Sequence, residues 1–130
     1  MNKKTENKVS LLVQEKLYFV HTSILNYMRD MRDEEKLYEL QDVIEESKVI
    51  LPESIYKVIR EFVFHYLERE LFDMPSGKAP KNDLIDWKKY EALEIQCQDW
   101  NAGEDYIYQC KLKTMYDAIA MDYIRPLFYS

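Results

Sequence analysis

At 130 residues the chain has room for one domain with a core of its own. A hydrophobic fraction of 47% and an aromatic fraction of 14% exclude a disordered chain, and two glycines leave too few tight turns for a many-stranded sheet. The net charge of −6 argues against nonspecific nucleic-acid binding, because that affinity comes from basic patches that neutralise phosphates.

The first helix is predicted from about Glu6 to Met31. Its seam is Val13, Leu17, Val20, Ile24, Tyr27 and Met31, spaced alternately by four and three. Near its start the apolar run "VSLLV" stops at Gln14, too short for a signal-peptide core or a membrane span. The expectation is a cytoplasmic protein with no membrane partner. A break near Arg32 leads to a second helix, Asp33 to Lys48, with Leu37, Leu40 and Ile44 inward and acids in its first turn, where the helix dipole favours them.

Pro52 suits the first turn of a third helix, where a missing N–H costs nothing. From Ile55 to Phe72 apolar residues occupy almost every face, the pattern of a central helix packed on several sides. "DMPSGKAPKND" has loop composition, and a mobile loop is expected at about 73–83. Asn82 or Asp83 would cap a fourth helix carrying Trp87, Tyr90, Leu93 or Glu94, and Cys97, ending near Asn101 and Gly103. A last helix, about Glu104 to Ile124, would stop at Pro126, with "LFYS" folded back onto the bundle. The fold class is therefore all-α, a compact antiparallel bundle of four or five helices in a single domain, 1–130.

Charge is distributed unevenly. Asp30 to Glu46 holds eight acids and two bases, so the remaining sixteen acids and sixteen bases cancel. Glu35, Glu39, Asp42 and Glu46 form a stripe opposite Leu37, Leu40 and Ile44. Like charges at these spacings destabilise a helix by roughly 0.2–0.5 kcal/mol per pair. Held at that cost, the stripe suits docking to a protein partner with a basic surface, with Tyr38 beside it as a contact residue. The alternative is a solvated face that maintains solubility. An inhibitor, immunity protein or adaptor would display such a face.

"REFVFHYLERE" places Arg60 five residues before His65, with Glu61 and Glu68 on the histidine's face. A flanking carboxylate favours imidazolium and orients the ring. The bland reading is a core helix whose histidine sits at a polar edge. The spacing Arg-x4-His in an all-helical chain resembles the motif of the HEPN superfamily, helical bundles that often act as metal-independent ribonucleases when two copies pair. That resemblance implies a homodimer in which Arg60 stabilises the scissile phosphate and His65 takes part in proton transfer. It covers six residues, and Glu61 stands where the family usually carries a small polar residue.

Other chemistries have less behind them. The acids of "DEEKLYELQDVIEE" are superficially similar to the motifs of MazG-like pyrophosphohydrolases, but one segment supplies no opposing magnesium ligands. Ser54 to Phe62 could serve as the reading helix of a helix-turn-helix, with Lys57 and Arg60 on phosphates, beside an acidic helix that repels DNA. No metal or cofactor is implied, since neither histidine has ligand-spaced partners. Cys97 and Cys110 lie thirteen residues apart without a CxxC pair. They read as two buried thiols in a reducing compartment, or as a disulfide.

Overall fold

A computed structural model describes residues 3–29, 33–67 and 85–129. The expected mobile loop at 73–83, its flanking Leu71 and Phe72, and the caps Asn82 and Asp83 lie outside the described residues, as does Met31. The described chain is an all-α bundle without a strand.

Helix α1 spans Lys3–Arg29 and buries Leu17, Val20, Ile24 and Tyr27 along the predicted seam. Helix α2, Glu34–Ser47, starts at Asp33, whose carboxylate accepts from the Lys36 N–H at 3.1 Å and satisfies one orphan donor of the first turn. Its buried face is Leu37, Leu40, Ile44 and Ser47. The Ser47 hydroxyl donates to the Ile44 carbonyl at 2.6 Å, which satisfies the one polar side chain that is fully buried among the described residues. Helix α3, Glu53–Glu61, begins directly after Pro52, whose carbonyl accepts from the Ile55 and Tyr56 N–H groups.

From Phe62 to Leu67 α3 continues as a π-helical turn rather than in α geometry. The wider turn gathers residues four and five apart onto one side, so Phe62, Val63, Tyr66 and Leu67 are all buried at once. Together with Ile55, Tyr56, Val58 and Ile59 they supply eight buried hydrophobic residues to the core, in contact with α2 and the C-terminal helices. Phe62 is central, its ring 5.4 Å from Tyr116 and 6.0 Å from Tyr66.

The second half departs from expectation in three places. Helix α4 is short, Trp87–Glu91, with Asp86 accepting from the Lys89 N–H, and it does not reach Cys97. Residues 92–103 are irregular. The Gln96 N–H bonds the Thr114 hydroxyl at 3.2 Å instead of a carbonyl of its own helix. Leu93, Ile95 and Cys97 turn partly inward while Glu94, Gln96 and Gln98 face solvent, an alternation of period two that a helix cannot present. Gly103, read as punctuation closing the fourth helix, stands instead at the N-cap of the next one, with φ +110°.

Helix α5, Glu104–Ile119, runs through a second π turn, Ala120–Ile124, into α6, Arg125–Tyr129. The chain therefore does not stop at Pro126. In the π register the Arg125 N–H bonds the Ala120 carbonyl, five residues back. The looser turn accommodates a proline that lacks an N–H and would crowd an α-helix. Leu127 and Phe128 then pack against the core, and the Gln14 amide donates to the Leu127 carbonyl at 2.7 Å, tying the terminal helix to α1.

Candidate functional site

The four acids of the predicted stripe, Glu35, Glu39, Asp42 and Glu46, are exposed on the side of α2 opposite Leu37, Leu40 and Ile44. They share a face because α2 runs unbroken from Glu34 to Ser47, and its apolar stripe fixes which side meets water. Tyr38 is 45% exposed beside them, its hydroxyl donating to a Glu34 oxygen at 3.0 Å. That bond orients the ring along the helix surface. An aromatic ring of large area with a polar tip is a suitable contact group beside a charged stripe.

Glu45 differs from its neighbours. It turns toward α3, where it accepts from Arg60 Nε at 2.9 Å and from the Tyr56 hydroxyl at 3.3 Å. The Arg60 guanidinium also lies 4.6 Å from the Phe64 ring. Arg60 is thus engaged with α2 and its own helix. His65, half-buried in the π turn, has its ring edge-on to Tyr66 at 4.9 Å. Of the two acids expected beside His65, Glu61 is half-buried and Glu68 lies outside the described residues.

Two further constellations lie away from the acidic stripe. His21 Nδ1 shares a 2.6 Å hydrogen bond with the Tyr116 hydroxyl, and the rings stack with centroids 5.6 Å apart. Burial lowers the His21 pKa below the usual imidazole range, with Asp117 acting against it. Asp117 is raised by burial, opposed by Lys113 and His21. His21 and Asp117 border an apolar groove of about 620 Å³ that includes Tyr18, Met121, Ile124 and Phe128. Nothing in the sequence links positions 21 and 116, so this pairing had no local signal.

The second is a cleft of about 810 Å³ between 94–100 and α5, with Cys97, Trp100, Tyr106, Cys110, Lys113 and Thr114 among its lining. Here a signal did exist. "LEIQCQ" alternates apolar and polar residues, which marks extended chain and not helix. Read that way, Cys97 leaves the helical stripe and comes alongside α5.

Among the described residues no group of three or more His, Cys, Asp or Glu side chains is placed to hold a metal ion, and no helix is long and apolar enough to cross a membrane. Fold and surface together describe a small helical bundle with one acidic, solvent-facing helix. No protein-family model matches the chain, and no curated protein or solved structure matches it.

Proposed function

We propose that this chain is a protein-binding module of the inhibitor, immunity or adaptor type, which docks a partner with a basic surface through α2. The observation that carries the proposal is the exposure of Glu35, Glu39, Asp42 and Glu46 as one stripe, with Tyr38 at its border. Such a stripe accelerates encounter with a positive surface and disfavours acidic competitors, while the tyrosine adds contact area. Arg60, the residue that a ribonuclease of the HEPN type would need at its phosphate, is instead held by Glu45 and Phe64. That engagement favours docking over RNA cleavage.

The test is affinity capture with tagged wild-type protein and a variant carrying Glu35→Lys, Glu39→Lys, Asp42→Lys and Glu46→Lys. Wild type should retain a basic protein at low salt, release it as salt rises, and lose it in the variant. Circular dichroism checks the variant's fold. Glu39→Lys alone should leave α2 intact and gain roughly 0.2–0.5 kcal/mol per pair by placing Lys four residues after Glu35. Capture unchanged in a folded four-site variant would sink the proposal. RNA cleavage lost in His65→Ala would instead establish the ribonuclease.

A further inference from the structure

Cys97 and Cys110 stand 3.0 Å apart, sulfur to sulfur, on elements of different character. Cys110 belongs to α5, whose position is fixed by buried Leu112, Met115, Tyr116 and Ile119. Cys97 belongs to the irregular stretch 92–103, held near α5 by the Gln96–Thr114 bond. The Cys110 thiol donates to the Cys97 sulfur. Burial, and then the Cys97 sulfur itself, push the Cys110 thiol up, and the Tyr106 hydroxyl also contacts it.

A disulfide bond is about 2.05 Å long, so closure requires the sulfurs to approach by only about 1 Å. Residues 92–103 lack a helical ladder that would oppose such a shift. Both sulfurs are half-buried and line the cleft of about 810 Å³, wide enough for a small thiol reagent to enter.

We propose that Cys97 and Cys110 are a disulfide-forming modification site that takes a low-molecular-weight disulfide, such as oxidised glutathione, as its oxidant. The Cys97 thiol gives its proton to water, and its sulfur attacks one sulfur of the oxidant. A mixed disulfide forms on Cys97 and one small thiolate leaves. Cys110 then gives its proton to water and attacks the Cys97 sulfur, expelling the second small thiolate. Two protein thiols are oxidised by two electrons, and one small disulfide is reduced to two thiols. The product staples 92–103 to α5. It does not depend on docking by α2.

Closing a loop of about 14 residues restricts the unfolded chain enough to raise the folded-to-unfolded ratio on the order of 100-fold. Full-length protein should be equilibrated in mixtures of reduced and oxidised glutathione, with intact mass, alkylation and peptide mapping as readouts. The expected result is one internal disulfide between Cys97 and Cys110 without a lasting glutathione adduct, and a matching rise in resistance to urea. Cys110→Ser should trap the mixed disulfide on Cys97, which can be read by mass even if that variant is destabilised. Cys97→Ser, altered outside any helix, should neither form the bridge nor gain urea resistance on oxidation. A persistent adduct on wild-type protein, or two thiols that stay reduced under the most oxidising mixture, would overturn the proposal.

Discussion

Arg60 Nε donates to Glu45 Oε1 at 2.9 Å, joining α3 to α2 across fifteen residues of sequence. One consequence is that Glu45 turns toward the Arg60 cation on α3, while the stripe of Glu35, Glu39, Asp42 and Glu46 faces outward. Both partners are nearly half exposed, at 44% and 46%, so solvent screens the pair strongly. A double-mutant cycle with Arg60→Met and Glu45→Gln should give a coupling of roughly 0.2–1 kcal/mol that shrinks with added salt. Coupling of several kcal/mol, insensitive to salt, would show that the pair is far more desolvated than described.

The Tyr90 hydroxyl donates to Asp122 Oδ2 at 2.6 Å, and Lys89 Nζ reaches the same oxygen at 3.1 Å. The Tyr90 hydrogen bond, with help from Lys89 and against desolvation, holds the Asp122 carboxyl below its usual range. A depressed folded pKa means that this stabilisation is fully present above the unfolded value of 3.8 and is lost as pH falls through the lower folded value. Asp122→Asn should therefore cost about 1 kcal/mol at neutral pH, after allowance for the exposure of the carboxylate. The gap between the variant and wild type should narrow as pH falls from 3.8 through the lower folded value. Urea unfolding at several pH values reads both effects, and a gap that widens with acid would reverse the assigned sign.

His21 gives the opposite ionisation case with the same slope. Its folded pKa lies below 6.5 because burial opposes the imidazolium. In the window between the folded value and 6.5 the unfolded chain binds more protons, so this histidine's contribution rises with pH and is complete above 6.5. An NMR titration should place the His21 midpoint below 6.5. Asp117→Asn should lower it further, because the Asp117 charge favours the imidazolium. A midpoint that rises in Asp117→Asn would contradict the arrangement. Tyr116→Phe should cost about 1 kcal/mol by removing the hydroxyl that His21 bonds, with Tyr116 otherwise fully buried.

The helices themselves needed little beyond sequence. The seam of Leu17, Val20, Ile24 and Tyr27, the inner stripe of α2 and the crowded face of α3 are all periodic, and periodicity is a local property of the chain. The exposure of the acidic stripe followed for the same reason, since burying Leu37, Leu40 and Ile44 leaves Glu35, Glu39, Asp42 and Glu46 on the other side.

What tertiary structure decided lies where local signals compete. Cys97 fitted a helical stripe through Trp87 and Tyr90 and also a period-two run through Leu93 and Ile95. The Thr114 hydroxyl on α5 supports the second by satisfying the Gln96 N–H. Pro126 looked like a stop, yet the π turn before it absorbs the missing N–H and lets Leu127 and Phe128 reach the core. The closeness of Cys97 to Cys110, of His21 to Tyr116 and of Arg60 to Glu45 depends on how whole elements pack. Periodicity tells a residue which way to face, but its partner across the bundle is set by the volumes and hydrogen bonds that all helices must satisfy together.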